Sequence, residues 1–429
     1  MVTGTRRARR RGIGTPVGHW PSRCWSASAA SAPSTRWPSP SSRVTCSSSS
    51  AWSVPCPPRP RRPVPGLRAR PTTPPGRDEH VHVGPDVLVA VVTHQSAEDL
   101  PGLLESLPAA MRGVGRWRLV IADNHSTDGT LDVARRLAPY AHLLPLGANL
   151  GYASGVNACA ALATPAEGLL VLNADVRLDP GSVLPLAAAC QPDSGAVIPT
   201  SSGPGGRGRS GDRARDEARG GVGVAAPAVR DGAGRPEPTM RRRPSPGRAW
   251  GEALLGGWAG RFPALGERID PTGQEEPGWA NGAVLFVPAH VRRRIGPWRA
   301  DLFLYSEEVD YCRRVTDAGW RIARVPEATA VHLGGQVSST PALWAQLVTN
   351  RVVHVARWDG RRAARLVWSA LLVGQLVRIP LRRRVHRRAL RELWAGRGRL
   401  LAGHPTHPAA GPDFGTHRRT TPWPLEVSR

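Results

Sequence analysis

Apolar and polar positions change their pattern sharply near Val87. Residues 1–85 are dominated by Ser, Pro and Arg, with neither helical nor strand periodicity and no apolar stretch of signal-peptide length. They are expected to be a disordered leader or sequence upstream of the true start. From Val87 the chain reads differently. Val87-Leu-Val-Ala-Val-Val92 is a continuous apolar run of strand length, the signature of a strand covered on both faces. Leu100, Leu103, Leu104 and Leu107 follow at helical spacing, behind a capping-box-like Ser96-Ala-Glu-Asp99. Strands are then predicted at Leu119–Ala122, Leu143–Leu146 and Leu169–Leu172, with helices at Leu131–Ala138 and Gly151–Ala163 between them. Farther on, Ala283–Val287 predicts a strand, Ser306–Gly319 a helix, and Trp320–Val325 a strand leading to His332.

Strand and helix alternate, so the expected fold is α/β: a mostly parallel sheet with right-handed crossovers and flanking helices. Ligands of such sheets bind beyond the carboxyl ends of the strands. The polar clusters Asp123–Thr130 and Asn173-Ala-Asp175 sit at two of those ends. Residues 201–220 read as an exposed loop insertion. Beyond Asn350 come arginine-rich helices. Among them Leu366–Val377 is apolar but too short to cross a bilayer. With Arg378 and Arg382–Arg384 behind it, that segment suits a membrane surface or packing against the main domain.

Charge refines this division. All 58 basic residues are arginine, against 33 acids. Residues 1–79 carry a net of +12 and residues 378–429 a net of +9, which leaves +4 for residues 80–377. An ordinary globular middle therefore lies between two basic tails, and such tails suit an anionic surface or are simply solvated. The six cysteines form no CxxC pair, and three fall in the leader, so neither a disulfide framework nor a zinc site is indicated.

Chemistry enters through four groups of residues. Asp123, at a strand end, suits a base or ribose hydroxyl. Gly147-x-Asn149-x-Gly151-Tyr152-x-x-Gly155-x-Asn157 is a glycine-spaced loop running into a helix, where backbone can approach a phosphate. Asp175 after the strongest apolar strand suits a hard cation such as Mg²⁺ or Mn²⁺, with His332 a second candidate ligand. Ser306-Glu-Glu-Val-Asp310 places three carboxylates in a first helical turn, more than capping requires. One of them would serve as a general base. Each group alone has an ordinary structural explanation; their order along the chain is what points to chemistry.

Asp123-Asn-x-Ser-x-Asp-Gly-Thr130, Asn149-x-Gly-Tyr-Ala153, Leu172-Asn-x-Asp175 and Glu307-Glu-Val-Asp-Tyr-Cys312 resemble the motif series of family 2 glycosyltransferases. The likeness is to the bacterial rhamnosyltransferase-like and galactofuranosyltransferase-like branch, over roughly residues 86–357. Val222–Pro227, Gly234-Arg-Pro236 and Trp279-x-Asn-Gly-Ala283 also fit it. The resemblance implies a GT-A fold and an inverting, metal-dependent transfer of a sugar from a nucleotide diphosphate, with dTDP-rhamnose and UDP-sugars as donor candidates. The acceptor would be a cell-envelope glycan or a lipid-linked glycan. It further implies nucleotide-sugar contacts at Thr93, Asp123, Asn149, Gly151, Asn157 and Asn173, and metal ligation by Asp175 and His332. Glu308 falls where the family places its base aspartate, with Asp310 two residues on. Asn173 stands where a full DxD motif has its first acid. The expected organisation is a leader (1–85), a GT-A domain (86–357) and basic helices with a tail (358–429). A cytoplasmic enzyme held peripherally at the membrane by those basic helices, without nucleic acid, is the corresponding expectation. The competing readings are a sugar-nucleotide-binding relative without turnover and an arginine-rich nucleic-acid binder.

Overall fold

Val87–Thr93 (β1) is buried along its whole length, as a strand without polar alternation must be. The two faces of β1 feed two cores. Val87, Val89 and Val91 join one cluster with Leu100, Leu103 and Leu107 of α1 (Leu100–Ala110). Leu88, Ala90 and Val92 join another with Val156 and Cys159 of α3 (Tyr152–Ala161), the period-two alternation of a strand. Around β1 the chain builds β2 (Trp117–Asp123), α2 (Thr130–Leu137), β3 (His142–Pro145), β4 (Gly168–Asn173), β5 (Val176–Leu178) and α4 (Val183–Ala189). After them come β6 (Val222–Asp231), the short pair β7 (Met240–Arg241) and β8 (Trp279–Ala280), and β9 (Val284–Val287). Helix α5 (Pro246–Leu255) lies between β7 and β8, and α6 (Ala289–Ile295) and α7 (Glu307–Asp317) precede β10 (Arg321–His332). This computed structural model describes residues 84–191, 220–273, 275–334, 340–380 and 383–406.

The main sheet has the order β3-β2-β1-β4-β9-β6-β10-β5. Only β9 and β5 run against the others, so the sheet is mixed α/β and mostly parallel, as expected. Two local expectations are corrected. Ser96 and Asp99 do not form a capping box: Asp99 already has helical backbone and makes no side-chain cap bond, while Ser96 Oγ accepts from the His94 amide at 3.2 Å. The last strand also runs past Val325 to His332 as one element, because a register shift against β6 between Val325 and Thr329 absorbs Pro326.

Four helices close the described chain: α8 (Pro341–Trp358), α9 (Gly360–Arg378), α10 (Arg383–Ala395) and α11 (Arg397–Leu401). They share an apolar cluster with Ala249 and Ala253 of α5 and with Leu302. The boundary expected between residues 357 and 358 thus falls in the last turn of α8, within one shared core. Within α9, Val367, Ala370 and Leu371 point inward while Leu366, Leu376 and Val377 face solvent. Among the described residues no helix is long and apolar enough to cross a membrane. The expected insertion at 201–220, except Gly220, and the leader up to residue 83 lie outside the described residues.

Candidate active site

The parallel strands β1, β2 and β4 end side by side, and the sequence-marked polar residues meet at that edge. Thr93 and Asp123 are register partners, and the Thr93 hydroxyl donates to Asp123 Oδ1 at 2.8 Å. Asp123 also accepts from the Ser126 amide (2.9 Å) and the Ser126 hydroxyl (2.6 Å). The neighbouring Asn124, which sequence reasoning did not single out, ties this edge to the glycine-spaced loop. Its Oδ1 accepts from the Leu150 amide at 3.1 Å and its Nδ2 donates to the Gly151 carbonyl at 3.2 Å.

Within that loop, Asn149 Oδ1 accepts from the Gly151 amide at 3.2 Å. Gly151 has φ of +87°, and a Cβ there would lie 2.2 Å from the Phe303 carbonyl oxygen, so only glycine fits. The Phe303 carbonyl accepts the Tyr152 amide at 2.8 Å. The first amide of α3, expected to face a phosphate, is therefore taken by the chain itself. Asn157 is likewise committed: its Nδ2 donates to the Trp298 carbonyl (2.8 Å) and its Oδ1 accepts from the Trp298 amide (2.7 Å). This is a brace between α3 and the segment after α6. The Asn173 amide donates to the Ala283 carbonyl at 3.0 Å, fixing the end of β4 beside the Gly282 turn.

Asp175 and His332 come together because β5 pairs antiparallel with the end of β10, Val176 opposite His332. Asp175 Oδ2 is 3.4 Å from His332 Nε2. On the other side of the ring, His332 Nδ1 is 3.1 Å from Glu237 Oε2. Burial opposes charge on this imidazole, but the bonds to the two carboxylates outweigh it and lift its pKa to about 10. Gly334 closes over the pair; a Cβ there would sit 2.7 Å from His332 Nε2 and 3.0 Å from Asp175 Oδ2. Among the described residues no group of three or more His, Cys, Asp or Glu side chains is arranged to hold a metal alone.

Phe303, Tyr305 and Ser306, immediately before α7, all have positive φ, a concentration of backbone strain in non-glycine residues. Asn350 of α8 holds that turn: its Nδ2 lies 2.9–3.0 Å from the carbonyls of Leu302, Leu304 and Tyr305. Gln346 adds a fourth bond, to the Leu302 carbonyl at 3.1 Å. The turn delivers Glu307 and Glu308 to the site. Glu307 is buried, and its Oε2 has no hydrogen-bond partner. Burial, then the charge of Glu308, raises its pKa well above the usual range. Burial also raises Glu308, to about 7, against the opposing pull of nearby backbone amides and the Arg241 guanidinium.

Asp310 is tied into its surroundings. Its Oδ1 accepts from Trp358 Nε1 (3.0 Å) and its Oδ2 from Arg314 Nε (2.9 Å), with Arg299 at 3.5 Å. Both oxygens are thus occupied on the buried side of α7. Tyr152 lies between the acidic groups. Its hydroxyl donates to the Gly282 carbonyl at 2.8 Å. Burial, then the charges of Glu307, Glu308 and Asp175, keep this phenol protonated well past its ordinary range.

Comparisons with known proteins bear on the family of the chain. The family model for glycosyl transferase family 2 matches residues 88–232. The N-acetylglucosaminyl-diphospho-decaprenol L-rhamnosyltransferase of Mycobacterium tuberculosis (strain H37Rv) is 33% identical over 266 residues, covering 58% of this chain and 76% of the relative. Among solved structures, a mannosyltransferase of Pyrobaculum calidifontis in complex with GDP-Man and Mn²⁺ is 15% identical, with a TM-score of 0.40 and coverage of 75% of this chain and 86% of that one. S. aureus TarS is 13% identical with a TM-score of 0.36; 67% of this chain matches 43% of it, so the chain spans under half of that protein. On the extent of the match to the mycobacterial relative and the match to the family model, the chain belongs to glycosyl transferase family 2 and is a glycosyltransferase.

Proposed function

We propose that the enzyme transfers L-rhamnose from a nucleotide-diphosphate donor to a hydroxyl of a polyprenyl-diphosphate-linked glycan, inverting the anomeric centre. The observation that carries the mechanism is Glu308: a carboxylate presented by a strained, clamped turn, with a pKa of about 7. A base at that value is half ionised at neutral pH and still basic enough to accept a proton. Glu308 takes the proton of the acceptor hydroxyl while that oxygen bonds to the sugar C1 and the bond from C1 to the diphosphate oxygen breaks. The nucleotide diphosphate leaves with the electron pair. The sugar and lipid classes rest on likeness to the mycobacterial relative, whose own name specifies rhamnose and a decaprenyl-diphosphate acceptor. An enzyme with such an acceptor works at the inner membrane face, held peripherally, because its substrate is anchored there.

The residues at the β4 and β10 ends would hold a divalent cation, Mg²⁺ or Mn²⁺, in exchange for the proton that His332 carries without it. The 3.4 Å between Asp175 Oδ2 and His332 Nε2 is close to the separation of about 3 Å between adjacent ligands of one octahedral ion. Gly334 leaves room at that point. Bound there, the ion would neutralise the diphosphate of the leaving nucleotide. Glu237 plays the supporting part: its carboxylate holds the far nitrogen of His332 and so aims Nε2 toward Asp175. Thr93 and Asp123 brace the edge on which the nucleotide would lie, with Asn149, Gly151 and Asn173 shaping its floor.

Thermal stabilisation by a panel of sugar nucleotides, with and without Mn²⁺, tests this reading. A shift with dTDP-rhamnose that requires Mn²⁺ and disappears in Asp175→Ala is the expected result. A metal-independent shift, or an equal shift in Asp175→Ala, would remove the cation assignment. A shift with a different sugar only would replace the donor.

A further inference from the structure

Away from the strand-end edge, the molecule exposes a corner of large apolar side chains. Leu254, Leu255 and Trp258 stand out where α5 ends, and Leu376 and Val377 stand out from the last turn of α9. These five side chains are between 44% and 68% exposed, Trp258 most of all. They form one corner because the two helix ends are locked together. Arg378 Nη1 donates to the Ala253 carbonyl (3.2 Å) and Nη2 to the Glu252 carbonyl (2.6 Å), satisfying acceptors that the end of α5 leaves open. Gly374 allows the close approach, since a Cβ on it would lie 3.4 Å from Ala253 Cα. Phe262 extends the corner, and the Arg261 guanidinium lies 4.1 Å above the Trp258 ring.

Together these groups gather exposed large apolar side chains at one place, the feature that marks a candidate contact surface. Arg261 and Arg378 stand at the corner, and the charge along the segments that build it points to the partner. Glu252 is the only acid between Pro246 and Phe262, and it is paired with Arg351 at 3.1 Å. Between Gly360 and Arg391 the chain carries ten arginines and no acid. A second copy docking on this corner would press two arginine arrays together with no acids to pair them. An anionic bilayer offers the complement: hydrocarbon for Leu254, Leu376 and Val377, the headgroup level for Trp258, and phosphates for the arginines.

We propose that the corner formed by the ends of α5 and α9 is a membrane-docking surface that inserts its leucines and Trp258 into an anionic phospholipid bilayer. It rests on the reading that the acceptor is lipid-linked, and it gives that reading a physical site. The sugar-accepting end of the lipid would then be met by an enzyme seated at fixed depth, rather than one attracted only by diffuse charge.

The test is flotation of the full chain with vesicles of equal parts phosphatidylglycerol and phosphatidylcholine, at salt high enough to cut the Debye length to about 4 Å. Wild type should stay vesicle-bound, and Leu254→Ser/Val377→Ser should lose roughly tenfold or more in partition, as should Trp258→Ser. All three positions are exposed, so an unchanged donor-induced thermal shift will show that the variants fold. Equal binding of wild type and variants would overturn the proposal. So would complete release of wild type by salt, which would leave only the basic tails as attractors, or a vesicle-free dimer that the substitutions dissolve. If the corner binds vesicles but no lipid-linked acceptor is ever glycosylated, the acceptor assignment fails while the docking surface stands.

Discussion

Glu308→Gln separates the stability of the site from its chemistry. Burial lifts the Glu308 carboxyl from 4.5 to about 7. A difference of that size between folded and unfolded chain corresponds to about 3 kcal/mol. The folded value is the higher one, so the associated stability is complete below the unfolded pKa and is lost as pH rises through 7. Wild type therefore carries the cost of an ionised, largely desolvated carboxylate at pH 8, whereas glutamine stays neutral throughout. The variant should gain on wild type by about 2 kcal/mol between pH 5 and pH 8 in urea unfolding at the two pH values. Titrations remote from Glu308 are common to both chains and cancel in the comparison; that of Glu307, raised in part by the Glu308 charge, changes with the substitution. In transfer assays the same substitution should lower kcat by about 10²–10⁴ and leave donor binding intact. Wild-type kcat should climb through about pH 7, and the residual activity of the variant should not. A stability gap that does not widen with pH would refute the burial argument, and wild-type turnover in the variant would refute the base.

Two further substitutions probe the supports of the site. Glu237→Gln keeps a polar atom beside His332 but removes the charge; Mn²⁺ affinity in the presence of nucleotide, read from the free-ion EPR signal, should fall about 10–100-fold. Unchanged affinity would show that Glu237 does not orient the histidine. Asn350→Leu takes away the donor shared by three carbonyls of the strained turn and should destabilise the protein by about 2–3 kcal/mol, with a loss of kcat as Glu308 loses its placement. Wild-type stability together with wild-type turnover would mean that the turn holds itself.

The parts of the fold legible along the chain were those written in local pattern. β1, β4 and α1 are read from runs and stripes whose burial matches their composition. Element ends were less legible: the start of α1 turned on which groups Ser96 and Thr130 meet across the fold, and the extent of β10 on a bulge that only its partner strand reveals. The motif residues illustrate the same limit. Asp310 and Glu308 stand two apart in one acidic cluster, and nothing local distinguishes them. α8 does, by placing Trp358 against Asp310. Nothing local to Asn157 marks its partner, because Trp298 lies 141 residues along the chain.

By itself, then, the sequence determined the alternation of strands and helices, the family motifs in their order and the basic character of the chain ends, because periodicity, residue type and net charge are properties of the chain. Tertiary structure decided which carboxylates are desolvated and which are tied up by partners, that Glu237 stands behind His332, that Asn350 restrains the strained turn, and that leucines 122 residues apart, Leu254 and Leu376, share one surface. Each of those depends on desolvation or on contact between distant segments. Neither exists until the sheet has set the elements side by side.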